Sequence, residues 1–230
     1  MEEGTREELI GRLVGVVGDR QGAHPVRVAV DGAPGAGKTT LADELAGALR
    51  AQGREVIRAT VDDFLVPRAQ RYRRGRYSAE GCYFDAHDRA ALRRVLLDPL
   101  GPGGDRRFRT AAYDHAADAR VSPPPAVAAA DAVLLFDGVF LMRPELVDRW
   151  ELRIFVAVPF EQTVERARRR SAASGDGAAV ERSWRDRYIP AQELYFATAH
   201  PEESADVVVH NGRLRHPAWE VRPRSSACGM

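Results

Sequence analysis

The residues whose types and spacing most directly imply chemistry are Gly32, Ala33, Pro34, Gly35, Ala36, Gly37, Lys38, Thr39 and Thr40. A glycine, four residues and then Gly-Lys-Thr is the spacing of a phosphate-binding loop. Its glycines let consecutive backbone N–H groups turn inward onto phosphate oxygens, where the following helix adds its unpaired N–H groups and its positive end. In that geometry Lys38 reaches the β- and γ-phosphates and the Thr39 hydroxyl holds Mg²⁺. The expected ligands are therefore ATP, or another nucleoside triphosphate, and Mg²⁺. The loop needs a strand before it and a helix after it. An apolar run ending in Asp31 precedes it, and Leu41, Leu45 and Leu49 follow at helical spacing.

The basic residues repeat the point. Lysine and arginine together number 34, yet Lys38 is the only lysine. A compact ammonium has been kept where it would sit among phosphates and nowhere else, and a planar guanidinium is a poor substitute there. The arginine bias elsewhere is an ordinary consequence of base composition. Polar residues at the ends of apolar strands carry functional weight, because ligands of open α/β sheets bind beyond the carboxyl ends of the strands. Asp31, Asp62 and Asp137 stand at or directly after such ends. Asp137 fits the role of holding Mg²⁺, directly or through water, with capping of the next turn as the plainer alternative. Asp62 or its neighbour Asp63 is placed to orient and deprotonate an acceptor hydroxyl, and strand alternation does not choose between them.

The elements that must position these residues are readable in outline. Residues 5–18 are expected to form an amphipathic helix, opened by Thr5 and Glu8 at capping-box spacing. Strands are expected at 26–31, 55–61, 132–136, 152–158 and 206–210, separated by helical segments. Such short, nearly continuous apolar runs suit a parallel sheet covered on both faces. The fold class is thus α/β: a doubly wound, five-stranded parallel sheet in a single domain spanning residues 1–216. Residues 64–130 interrupt the alternation, with the basic, aromatic run from Arg68 to Tyr77 and a helix near 88–97, and are read as an insertion that recognises the acceptor. Residues 160–188 are read as a helical lid with a break at 174–177, rich in arginine on both sides, which closes over the triphosphate. The last residues, 217–230, are expected to be a flexible tail.

Composition narrows the classes. A chain of 230 residues, 44% of them hydrophobic, can bury a full core, and a net charge of +1 is no polycation. Cys82 and Cys228 lie far apart outside any Cys-x-x-Cys spacing, and the six histidines form no metal pair at helical spacing; both point to a reducing compartment without structural zinc. The acidic N-terminus lacks the apolar core of a signal peptide, and no apolar run has the length of a membrane span. The expectation is a cytoplasmic protein with no membrane partner, self-association being left open. Guanine-specific GTPases read their base with Asn-Lys-x-Asp, which a chain with one lysine cannot contain. Nucleic-acid binding through Arg68 to Tyr77 is a weak alternative at this overall charge.

The loop, with Val61-Asp62-Asp63-Phe64, Phe84-Asp85, Tyr113-Asp114-His115, Phe136-Asp137-Gly138-Val139-Phe140 and Tyr188-Ile189-Pro190-Ala191-Gln192, resembles in that order the uridine kinase and phosphoribulokinase group of P-loop kinases. The stretch with Arg143-Pro144-Glu145-Leu146 is especially similar to bacterial uridine kinase-like proteins. The resemblance runs from about residue 26 to 212. It implies a nucleoside monophosphate kinase-like fold and transfer of the ATP γ-phosphate to the 5′-hydroxyl of uridine or cytidine. It implies further that Asp62, rather than Asp63, is the catalytic aspartate alongside Lys38. Asp85 with Phe84 would take the ribose hydroxyls, Tyr113 the base, Arg166 and Arg169 the triphosphate from the lid, and Asn211 and Gly212 the adenine. Arg187, in the second half of the lid, is assigned to the acceptor. Two positions depart from the family: Asp118 stands where its pyrimidine pocket has a histidine, and Ser183 where a glutamine reads the uracil edge. The remaining readings are a kinase for another hydroxyl substrate, such as pantothenate or a sugar phosphate, and a non-catalytic nucleotide-binding regulator.

Overall fold

A computed structural model describes residues 1–20, 22–171 and 177–223. The expected strands form, and the sheet they build is wider than expected. Strands β1 (Glu2–Glu3), β2 (Val26–Asp31), β3 (Val56–Thr60), β4 (Val133–Gly138), β5 (Leu152–Ala157), β6 (Val207–His210) and β7 (Ala218–Val221) lie in the order β1-β7-β6-β5-β2-β4-β3. The five strands from β6 to β3 are parallel, and β7 and β1 add an antiparallel edge. The five expected parallel strands are all present, and the two antiparallel strands widen the sheet to seven among the described residues. The flexible tail cannot begin at residue 217, because Ala218–Val221 pairs with β6 and carries Trp219 into the core at 4% exposure. Such a short strand, directly after Pro217, has too few residues for periodicity to reveal it.

Alternation along each strand feeds two layers. Val28, Val30, Val133 and Leu135 face α1 (Arg6–Gly18) and α2 (Lys38–Ala51), where Leu9, Leu13, Leu41, Leu45 and Leu49 complete one core. Ala29, Leu134 and Phe136 face the other way, onto Leu92, Leu96, Leu97 and Trp150. Burying each of these aliphatic side chains contributes about 1.5–3 kcal/mol. The capping box of α1 is present: the Thr5 side chain accepts from the Glu8 N–H while the Glu8 carboxylate accepts from the Thr5 N–H.

Three local departures from the expected elements matter for the site. Strand β3 stops at Thr60, and Val61–Phe64 winds into a 3₁₀ turn that carries Asp62 away from the sheet. Residues 64–130 hold short helices, including α3 (Ala79–Asp85), and two small hairpins, Arg107–Phe108 with Ala126–Val127 and Tyr113–Asp114 with Ala119–Arg120. In the lid region α4 (Phe160–Ser171) and α5 (Gly177–Ser183) are followed by a single π-helical turn, Trp184–Tyr188, which runs straight into α6 (Ile189–Ala199). The expected break at 174–177 falls largely on residues outside the described ones.

Candidate active site

Parallel pairing sets the site at the carboxyl ends of β2, β3 and β4, where Asp31 lies beside Gly138 and Thr60 beside Asp137. The chain leaves β2 through Gly32 with φ +151°, where a Cβ would stand 2.5 Å from the Val156 carbonyl oxygen; only glycine fits. Gly37 is left-handed at φ +96°, with the Asn211 amide nitrogen 2.7 Å from where its Cβ would be. The turn opens directly onto the start of α2, whose first helical residue is Lys38.

Lys38 is 8% exposed, and its Nζ donates to the Ala33 carbonyl at 2.9 Å. Burial lowers its pKa, and the charges of Asp31, Asp137 and Asp62 oppose that shift. Asp137, 3% exposed, accepts from the Thr39 hydroxyl at 2.6 Å on one oxygen and from Arg58 at 2.8 Å on the other. A hydroxyl and a carboxylate held together at the mouth of the loop are the hard oxygen donors that suit Mg²⁺, which keeps several waters and takes phosphate oxygens for its remaining positions. These two residues therefore fit the ion. Thr40 is exposed.

Asp31 is fully buried, and burial pushes its carboxyl upward. It is nonetheless well satisfied: the Gly32 N–H donates to one oxygen at 2.7 Å, and the Leu141 N–H at 2.9 Å and the Tyr195 hydroxyl donate to the other. The Tyr195 oxygen in turn accepts from the Met142 N–H at 2.9 Å. This junction ties β2, the segment after β4 and α6 together directly beneath the phosphate loop. Tyr195→Phe deletes one donor to a buried carboxyl and one acceptor for a buried amide. The variant is expected to be less stable by about 1–3 kcal/mol in urea unfolding, with its ligands still bound.

Lys38, Thr39, Asp62 and Asp137 line one cleft of about 470 Å³, within the usual range for small-molecule sites. Asp63 does not line it; its backbone carbonyl accepts from Ala112, and burial raises its carboxyl pKa. Arg187 also lines the cleft, delivered by the π-helical turn together with Trp184 and Tyr188. Such turns rotate side chains out of the α-helical phase and recur at functional sites.

The other expected site residues are placed differently. Phe84 and Asp85 line a separate surface cleft, where Arg74 pairs with Asp85 at 2.6 Å. Tyr113 is buried behind the site, and its hydroxyl donates to Asp118 at 2.7 Å and accepts from Arg71 at 3.2 Å. Ser183 bonds back to the Ala179 carbonyl within its helix. Arg166 braces the loop instead of reaching into the cleft, donating to the carbonyls of Gly35 and Ala36 at 3.3 Å and of Asn211 at 2.7 Å. Asn211 does the same, its amide donating to the Ala36 carbonyl at 2.7 Å. Arg169 turns outward to Glu165, and with Arg166 and Gly212 it borders a depression beside the loop rather than the cleft. Besides Arg187, the arginine of residues 160–188 that reaches the cleft is Arg170, whose guanidinium lies 3.4 Å from where a Gly35 Cβ would stand. Arg71, Tyr72, His87, His115 and Gln192 line the cleft as well; the sequence motifs that contain four of them gave none of the five an individual role. For Arg170 a signal existed: it follows Arg166 by one helical turn and shares its face.

A glycine-cradled helix start, a buried lysine and a Thr–Asp pair at the end of a parallel sheet are features of P-loop nucleotide-binding folds, kinases among them. Residues 27–212 match the cytidylate kinase-like family, and the chain belongs to it. Among solved structures, a possible uridine kinase from Bacillus stearothermophilus is similar at 25% identity and a TM-score of 0.68, covering 88% of this chain and 97% of that one. A putative fructose transport system kinase from Silicibacter sp. TM1040 is 24% identical with a TM-score of 0.65, over 83% of this chain and 95% of that one. A D-glycerate 3-kinase from Cryptococcus neoformans shares the fold at 14% identity and a TM-score of 0.59, over 87% of this chain and 94% of that one. No curated protein matches the chain in sequence. No helix among the described residues is long and apolar enough to cross a membrane.

Proposed function

We propose that the protein is an ATP-dependent kinase that transfers the γ-phosphate to a hydroxyl group of a small acceptor. The observation that carries this reading is the position of Asp62, lifted off the sheet by its 3₁₀ turn into the same cleft as Lys38, Thr39 and Asp137. A carboxylate there accepts the proton as the acceptor oxygen bonds to the γ-phosphorus and the bond from that phosphorus to the bridging oxygen breaks, releasing ADP. Lys38 and Arg170 lie where they would offset the charge on the transferring group, and Thr39 and Asp137 would hold Mg²⁺. When bound, the ion neutralises phosphate charge.

Uridine and cytidine are natural first acceptors, supported by the motifs shared with uridine kinases and by the likeness to the possible uridine kinase. The residues matched to ribose and base, Asp85, Phe84 and Tyr113, do not line the cleft, so the wider class of small hydroxyl acceptors is the one proposed. The test is a panel of nucleosides, sugar phosphates and hydroxy acids with ATP and Mg²⁺, followed by mass spectrometry. The expected result is one ADP per phosphorylated acceptor. ATP binding without a phosphorylated product for any hydroxyl compound would favour a nucleotide-binding regulator.

A further inference from the structure

Two guanidinium groups that line the cleft make no ion pair among the described residues. Arg71 and Arg187 are each 7% exposed. Arg71 donates to the Val66 carbonyl at 3.1 Å and to the Tyr113 hydroxyl, and Arg187 to the Arg76 carbonyl at 2.8 Å and toward the Cys82 thiol. All of these acceptors are neutral. Both guanidinia pack on Tyr72, at 5.2 and 5.1 Å from its ring centre. Asp118 makes no direct ion pair with Arg71: the Tyr113 hydroxyl stands between them, and the two charges feel each other only across it. Burying two like charges without a counterion is costly, and stacking on a tyrosine offsets only part of it.

The surroundings add to the positive field. His87 lines the same cleft, and its imidazole is pushed down to about 3 by burial first and then by Arg89, Arg143, Arg187 and Arg71. It is therefore neutral near pH 7. A second group points to a ligand independently: Gln192 also lines the cleft, is 1% exposed, and its Oε1 is buried with no hydrogen-bond partner. An unpaired buried acceptor calls for a donor from whatever fills the space. The donor nucleotide does not explain these groups, because its phosphates have Lys38 and Arg170 at the loop end, while Arg71 and Arg187 are held by the insertion.

We propose that the acceptor is a hydroxylated anion, a phosphomonoester or a carboxylate, whose charge lies between Arg71 and Arg187 while one of its O–H or N–H groups donates to Gln192. This inference rests on the kinase reading and narrows its substrate.

The experiment compares matched acceptors that differ in charge, ribose 5-phosphate against ribose and glycerate against glycerol, with uridine as a further neutral arm. Turnover and calorimetric binding are read for the wild type, Arg187→Met and Arg187→Lys. The expected result is a kcat/KM about 10- to 100-fold higher for a charged member than for its neutral partner, lost in Arg187→Met through KM and partly restored in Arg187→Lys. ATP affinity measured without acceptor stays within about twofold. The phosphate and carboxylate arms show which anion is meant. Equal or better use of the neutral members by the wild type, a comparison that needs no variant to fold, overturns the proposal. So does an Arg187→Met variant whose main loss is in ATP binding. If nothing is phosphorylated, the kinase reading fails on its own, and calorimetry decides the rest: anion binding that depends on Arg187 upholds the site, and its absence ends it.

Discussion

Lys38→Ala is expected to lower kcat by roughly 100- to 1,000-fold or more, the size of effect seen when one preorganised charge facing the transition state is removed in a water-poor site. The ammonium is buried against Ala33, with the charges of Asp31, Asp137 and Asp62 acting on it. Its removal also leaves these carboxylates repelling one another, so circular dichroism and a melting curve must accompany the kinetics to separate lost chemistry from lost fold. Near-normal turnover in a folded variant would sink the assignment of this loop to the triphosphate.

Asp62→Asn is the complementary case. The amide keeps the size of the side chain but loses its charge and its ability to take a proton, so kcat should fall by about 10²- to 10⁴-fold while ATP still binds. A change confined to KM would mean that Asp62 positions the acceptor without accepting its proton. Asp63→Asn serves as the internal control. Asp63 does not line the cleft, and this substitution should leave kcat within a few-fold of the wild type, as for residues that do not touch the reacting atoms.

The part of the site that was legible in the sequence is the part built from contiguous residues. The loop from Gly32 to Thr40 is a backbone conformation as much as a set of side chains, and its glycines and flanking apolar runs specify it locally. Asp137 was legible because it ends a long apolar strand. The rest of the cleft was legible only in part: Asp62 and Arg187 were named, but most of the remaining lining is assembled from pieces far apart in the chain. Arg71 and His87 come from the insertion, Arg170 from the first lid helix, Arg187 from the π turn and Gln192 from the helix after it. Helical phase across a π turn cannot be extrapolated from 3.6-residue periodicity. Phe84, Asp85 and Tyr113, matched by motif, lie outside the cleft, since the short helices and hairpins of residues 64–130 fix where those side chains stand. At the far edge of the sheet, Ala218–Val221 was read as tail because four residues carry no period of their own.

The isolation of Lys38 has a practical side. Its ε-amine is the only one in the chain, and it lies almost covered in the turn it serves. An acylating reagent selective for amines therefore has a single side-chain target, and the extent of its uptake on the peptide that carries Lys38, read by mass apart from the α-amine, gauges whether that turn is open or filled.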